Sequence, residues 1–129
     1  MAFLHHKSDN GAVPPWEYMA AAAGTYQAGQ LLNVANGLVA AITAITATTP
    51  PYLCMADKKT EAGELLPVTR VSGEYIYETE LGENVPAAAP GVRMRVANGG
   101  QYAWNGAGTF EIVSLTGNAQ GDIVRGRFI

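Results

Sequence analysis

The stretch QLLNVANGLVAAIT, residues 30–43, decides how this chain is read. Two apolar runs flank Asn36-Gly37, a dipeptide that takes the positive φ values required at both central positions of a tight hairpin turn. The segment therefore reads as two antiparallel strands, Gln30 to Ala35 and Leu38 to Thr43. A helix over 38–47 competes for the second half, because Leu38, Ala41, Ile42 and Ile45 would share one helical face and alanine favours helix. The threonines, the β-branched residues and the preceding turn favour strand.

Outward from this hairpin, short β-rich runs alternate with Gly, Asn and Pro at the spacing of a small sandwich or barrel. The further candidate strands are Trp16 to Ala21, Tyr52 to Ala56, Leu65 to Val71, Tyr75 to Leu81, Val92 to Ala97, Thr109 to Leu115 and Ile123 to Ile129. Successive strand residues point to opposite faces. Tyr75, Tyr77, Thr79 and Leu81 are thus expected to pack, with Ile76, Glu78 and Glu80 on a wet face. Val92, Met94 and Val96 alternate with Arg93 and Arg95, and Val124 and Phe128 with Arg125 and Arg127, as in half-buried antiparallel strands. The expected fold is all-β, a small single-domain barrel or sandwich. Gly82 to Gly91 (GENVPAAAPG) and Asn98 to Gly108 (NGGQYAWNGAG) read as excursions between strands, the second carrying the aromatic pair Tyr102 and Trp104.

Residues 1–13 show no periodicity and run into Pro14-Pro15, which favours an extended chain. Residues 1–15 are therefore expected to be a flexible N-terminal arm, and 16–129 the β domain. Whether Trp16 is core and Tyr18 surface stays open. At 129 residues the chain is one domain with enough length for a core. Charged residues make up 15%, against roughly a quarter in ordinary domains, which suits a surface that meets other protein.

Charge and motifs narrow the function. The net charge is −3, and cations come only in the pairs Lys58/Lys59, Arg93/Arg95 and Arg125/Arg127, so nucleic acid is disfavoured as main ligand. The longest apolar stretch, Leu38 to Ala47, is about half a membrane span, and Met1 to Asn10 is not read as a signal peptide. One cysteine, Cys54, excludes an internal disulfide, and its apolar flanks point to a buried thiol.

His5-His6 with Asp9 resembles a metal site only superficially, since neighbours on an extended chain point apart; no metal or other cofactor is expected. A nucleophile at Ser72 or Ser114 would have to recruit a base from the arm, where both histidines lie. Glu78 and Glu80 stand roughly 7 Å apart on one strand face, the separation of an inverting glycosidase pair. Nothing beside them splits their pKa values into acid and base, so cross-strand pairing with Arg93 and Arg95 or Arg125 and Arg127 is the simpler reading. No phosphate loop or dinucleotide fingerprint occurs. A small hydrolase using Glu78 and Glu80 remains the enzymatic alternative.

The order of VPPWEYMAAAAGTYQAGQLL (13–32), NGLVAA (36–41), PPYLCMA (50–56), AGELLPVTRV (62–71), YIYETEL (75–81) and GDIVRGRFI (121–129) resembles tailed-phage capsid decoration proteins, the head-stabilising or cement class that includes the lambda head decoration protein. The resemblance implies a β-tulip-like domain that trimerises at local threefold axes on the outer surface of the expanded head, assembled in the host cytoplasm. It implies the major capsid protein and other copies of the chain as partners. The capsid-contacting arm would comprise Phe3, Leu4, His5, His6, Pro14, Pro15, Trp16, Glu17 and Tyr18, with Tyr102 and Trp104 at an intersubunit or outer-surface loop. Departures lie in loops 82–91 and 98–108. A head-to-tail connector or tail component is the structural alternative.

Overall fold

A computed structural model describes residues 3–9, 15–42, 48–96 and 99–129. The strands are β1 (Leu4–Ser8), β2 (Glu17–Ala20), β3 (Gly24–Tyr26), β4 (Leu31–Ala35), β5 (Leu38–Ala41), β6 (Tyr52–Cys54) and β7 (Lys58–Thr60). They continue as β8 (Leu65–Arg70), β9 (Tyr75–Glu80), β10 (Arg93–Val96), β11 (Ala103–Trp104), β12 (Phe110–Leu115) and β13 (Ile123–Phe128). A six-stranded sheet has the order β1-β9-β13-β12-β10-β11, a five-stranded sheet the order β2-β8-β6-β4-β5, and β3 pairs with β7 in a separate ribbon. Every named strand pair is antiparallel. Both sheets curl, so that Ala21 meets Val39 and Leu81 meets Ala103 in isolated parallel bridges, but neither closes into a barrel. The fold is an all-β sandwich.

The hairpin that anchored the sequence reading is present. Asn36 (φ 52°) and Gly37 (φ 78°) form its turn, with Ala35 opposite Leu38. Leu38–Ala41 is strand rather than helix, while residues 43–47 lie outside the described residues. The other expected strands also form, with ends within about two residues of those read from the pattern.

Alternation sorts the side chains into two cores. Between the sheets, Leu31, Ile42 and Leu53 of the five-stranded side meet Tyr77, Met94, Val96, Phe110, Ile112, Val124 and Phe128 of the six-stranded side. On the opposite face of the five-stranded sheet, Leu32, Val39, Tyr52, Cys54, Leu66 and Val68 pack against Tyr26 of the ribbon. That sheet is therefore apolar on both faces, which explains why runs such as Tyr52–Cys54 are fully apolar rather than alternating. Cys54 is buried as expected, and burial pushes its thiol pKa up.

Residues 3–9 depart from the expectation of a flexible arm over 1–15, whose residues 1–2 and 10–14 lie outside the described residues. Leu4–Ser8 is an edge strand on β9, with Leu4 opposite Glu78 and Ser8 opposite Tyr75 around a bulge between His5 and Lys7. Phe3 is fully buried, edge-on to Phe110 at 5.3 Å and 6.0 Å from Phe128, and its N–H donates to Gly29 O at 2.8 Å. Beyond β1, the Asp9 carboxylate accepts from Arg127 Nη1 at 3.0 Å. Local periodicity missed this strand because its single core residue, Phe3, precedes it and the histidines and Lys7 are polar.

Other corrections are smaller. Ile76, expected on the wet face of β9, is buried; its side of the sheet forms a shallow depression with His6, Lys7, Val113 and Arg125. Loop 82–91 contributes Val85 and Ala88 to the core, and Asn118 Nδ2 lies 2.8–3.1 Å from the carbonyl oxygens of Val85, Pro86 and Ala88. The loop is thus part of the packed structure. The short strands β3, β7 and β11 were not foreseen, since two or three residues are too few to show a period.

Candidate interaction surface

The stretch Pro15 to Tyr18 and strand β8 build an apolar exposed face. Tyr18 lies directly opposite Pro67 and Ala20 opposite Leu65, so the four share one side of the β2–β8 pair. Met19, Leu66 and Val68 point the other way, into the core beneath the ribbon. The outward side of this sheet is covered by the six-stranded sheet over Leu31 and Leu53, but the cover ends before β2 is reached. Trp16 is consequently 52% exposed, Tyr18 64% and Leu65 54%. Neither aromatic is core.

Beside this face runs a groove of about 460 Å³ lined by Pro15, Glu17, Thr69, Arg70, Ser72 and Tyr75. Its wall is pinned locally. Thr69 Oγ1 donates to Pro15 O at 2.9 Å, which holds the entry into β2 against β8. Arg70 Nε donates to Glu17 Oε2 at 3.0 Å, and its guanidinium carbon sits 5.8 Å from the centre of the Tyr52 ring. The hydrogen bond to Glu17 raises the Arg70 pKa further. Both partners of this ion pair are substantially exposed, so its contribution to stability is small.

The residues expected on the arm are thereby divided. Phe3 is core, not contact surface. Leu4 is exposed at the sheet edge, His6 is exposed, and His5 is half-buried, edge-on to Tyr75 at 5.2 Å and sharing a 2.9 Å hydrogen bond with Ser8 Oγ. Burial, with the adjacent His6, lowers the His5 pKa. Pro15 and Glu17 line the groove, Trp16 and Tyr18 are exposed on the neighbouring face, and Pro14 lies outside the described residues. Tyr75, which faces both His5 and the groove, links the two halves. Leu65 and Pro67 were missed as surface residues; an apolar residue in an apolar strand carries no sequence signal that its cover is missing.

The glutamates do not form a facing pair. Glu78 stands opposite Arg125 in register and accepts from its Nε at 3.0 Å, the cross-strand pairing expected from the sequence. Glu78 lines a depression with Arg125 and Ser114, whereas Glu80 lines a different one with Tyr102, Trp104 and Gln120. The two carboxylates thus open onto separate depressions. His6 and Ser114 both border the depression over Ile76, with Arg125 beside them, and no hydrogen bond joins them among the described residues. Among the described residues no three His, Cys, Asp or Glu side chains gather as metal ligands.

Tyr102 and Trp104 flank Ala103, which is bridged to Leu81 and accepts from the Gly82 N–H at 2.9 Å. Gly82 is required here: a Cβ would stand 2.6 Å from Trp104 Cε2 and 2.8 Å from Cζ2, inside the indole. Trp104 Nε1 and the cross-strand Arg95 Nη1 are buried without a hydrogen-bond partner among the described residues. No protein-family model matches this chain, and no curated protein matches it in sequence.

Proposed function

We propose that this chain is a non-enzymatic decoration protein of a tailed-phage head, binding the expanded shell as trimers at local threefold axes and stabilising it against internal DNA pressure. The observation that carries the reading is the uncovered Trp16, Tyr18 and Leu65 face beside an apolar groove, on a protein with few charges. Exposed apolar patches rich in aromatics mark protein contacts, and Trp and Tyr are the side chains that dominate binding energy there. β1 is the outermost strand of its sheet, with Leu4 and His6 exposed, and an extended capsid segment can add to such an edge as a strand.

The mechanism is stoichiometric. A protein that binds the expanded lattice and not the unexpanded one favours expansion by the difference in affinity, and repetition over the shell multiplies modest contacts into a strong clamp. The carboxylate arrangement supports this over hydrolysis, since Glu78 is committed to Arg125 and Glu80 opens elsewhere. Co-sedimentation with expanded shells lacking the protein, and with unexpanded procapsids, tests the reading. Saturable binding to expanded shells alone, lost in a Trp16→Ala/Tyr18→Ala double variant, is the expected result. Failure of the folded protein to bind either shell would reject decoration and favour a connector or tail role.

A further inference from the structure

We infer that the depression between Tyr102, Trp104 and the 119–122 turn is a carbohydrate subsite that takes one neutral pyranose ring. It has a volume of about 250 Å³ and shares no residue with the groove at Glu17 and Arg70. Its walls join two kinds of group that sugars require. Tyr102 and Trp104 supply flat aromatic surface, against which the C–H face of a pyranose packs. Glu80 adds a carboxylate to the wall, and the exposed Gln120 amide can both donate to and accept from sugar hydroxyls.

The site is held rigid before any ligand arrives. β11 is fixed by its bridge to Leu81 and by the Gly82 N–H on Ala103 O, and the indole rests on Gly82, where a side chain would not fit. The opposite wall is a tight turn. Asp122 N–H donates to Ala119 O at 3.0 Å, Ala119 N–H to Asp122 Oδ2 at 2.9 Å, Gly121 N–H to Leu81 O at 2.9 Å, and Gln120 N–H to Asn84 Oδ1 at 2.8 Å. Preorganised walls spare the ordering cost that binding would otherwise carry.

The lining selects the ligand class. It contains a carboxylate and no Lys or Arg, which disfavours phosphates, carboxylates and sulfated sugars. A quaternary ammonium head would use the aromatic rings and the carboxylate but offers Gln120 no donor or acceptor, and choline's single hydroxyl offers one, whereas a pyranose presents several around its ring. The inference does not depend on decoration, and either can fail while the other stands.

Saturation-transfer NMR on the full chain, with the methyl glycosides of glucose, galactose, mannose and N-acetylglucosamine and with choline as the competing chemistry, tests it. Transfer to the ring C–H protons of at least one glycoside is expected, with a dissociation constant of about 1 mM as suits a single-ring site. Tyr102→Ala is expected to weaken it about tenfold or more, a loss of about 1.4 kcal/mol. Gln120→Ala alters only an exposed side chain, keeps the turn's backbone hydrogen bonds, and is expected to weaken binding while the amide spectrum stays native. Transfer to choline alone, transfer to no glycoside, or glycoside binding unchanged in Gln120→Ala and in folded Tyr102→Ala would overturn the inference.

Discussion

Phe3 and Trp16 lie in the same N-terminal stretch, both large and aromatic, yet Phe3 is 0% exposed and Trp16 52%. Phe3 sits in a short apolar run, Met1 to Leu4, that gives way to polar residues from His5, while Trp16 stands between a proline and a strand whose other face is apolar. Neither run is long enough or periodic enough to say which ring finds a cover. The difference comes from enclosure: Phe3 enters the space between two sheets, where Phe110 and Phe128 meet it, whereas Trp16 stands beyond the limit of the six-stranded sheet's cover. One end of the segment is structural and the other is available for contact.

The strongest test of this division is Phe3→Ala. Emptying a core site of that size is expected to cost about 3–5 kcal/mol, read from urea unfolding. A loss under about 1 kcal/mol would return the segment to a free arm. Removing residues 1–8 should destabilise at least as much, because it also strips β9 of its edge partner.

Tyr77 probes the same enclosure by pH. It is fully buried beneath β1 and Phe128, and burial is the main cause of its pKa rising to about 12 from 10. An unfolded tyrosine releases its proton near pH 10, while the folded one keeps it. Tyr77 therefore contributes stability that is complete below pH 10 and is lost as pH rises towards 12, about 3 kcal/mol in all. In Tyr77→Phe the fall in unfolding free energy between pH 9 and 12 should be visibly flatter than in wild type. Parallel curves would show that the ring is not enclosed as described.

Asp9 and Arg127 fasten the end of β1, with both guanidinium terminal nitrogens within 3.3 Å of the carboxylate. Asp9 is mostly exposed, so Asp9→Asn is expected to cost at most about 1 kcal/mol, shrinking further in high salt. A larger, salt-independent loss would mean that this end of the segment is as structural as Phe3. The smallest stability effect belongs to the contact end. Trp16→Ala and Tyr18→Ala should each shift the unfolding free energy by no more than about 0.5 kcal/mol while removing shell binding. A large loss of stability in either would place these rings in the fold and not on its surface.

Much of the architecture was legible in short-range patterns. Asn36-Gly37 marked the hairpin, alternation oriented Met94 against Arg93 and Arg95, and the facing charges of Glu78 and Arg125 followed from strand neighbours. The candidate surfaces were legible only in part. Trp16, Tyr18, Tyr102 and Trp104 could be singled out as unusual aromatics, but not Leu65, Pro67 or Gln120, which acquire their setting from strands or turns distant in sequence. β1 was illegible because an edge strand with one face against solvent can be polar almost throughout, its place secured by backbone hydrogen bonds and by a single aromatic anchor.

The sequence by itself determined that the chain is all-β, where most strands run and which side chains of each strand share a face, because turns and alternation are set by neighbours a few residues apart. Only the tertiary structure decided which apolar faces find a cover. Burial depends on what another sheet brings from elsewhere in the chain, and that is why Phe3 became core, Trp16 became surface, and Glu78 and Glu80, two residues apart, came to open on different sites.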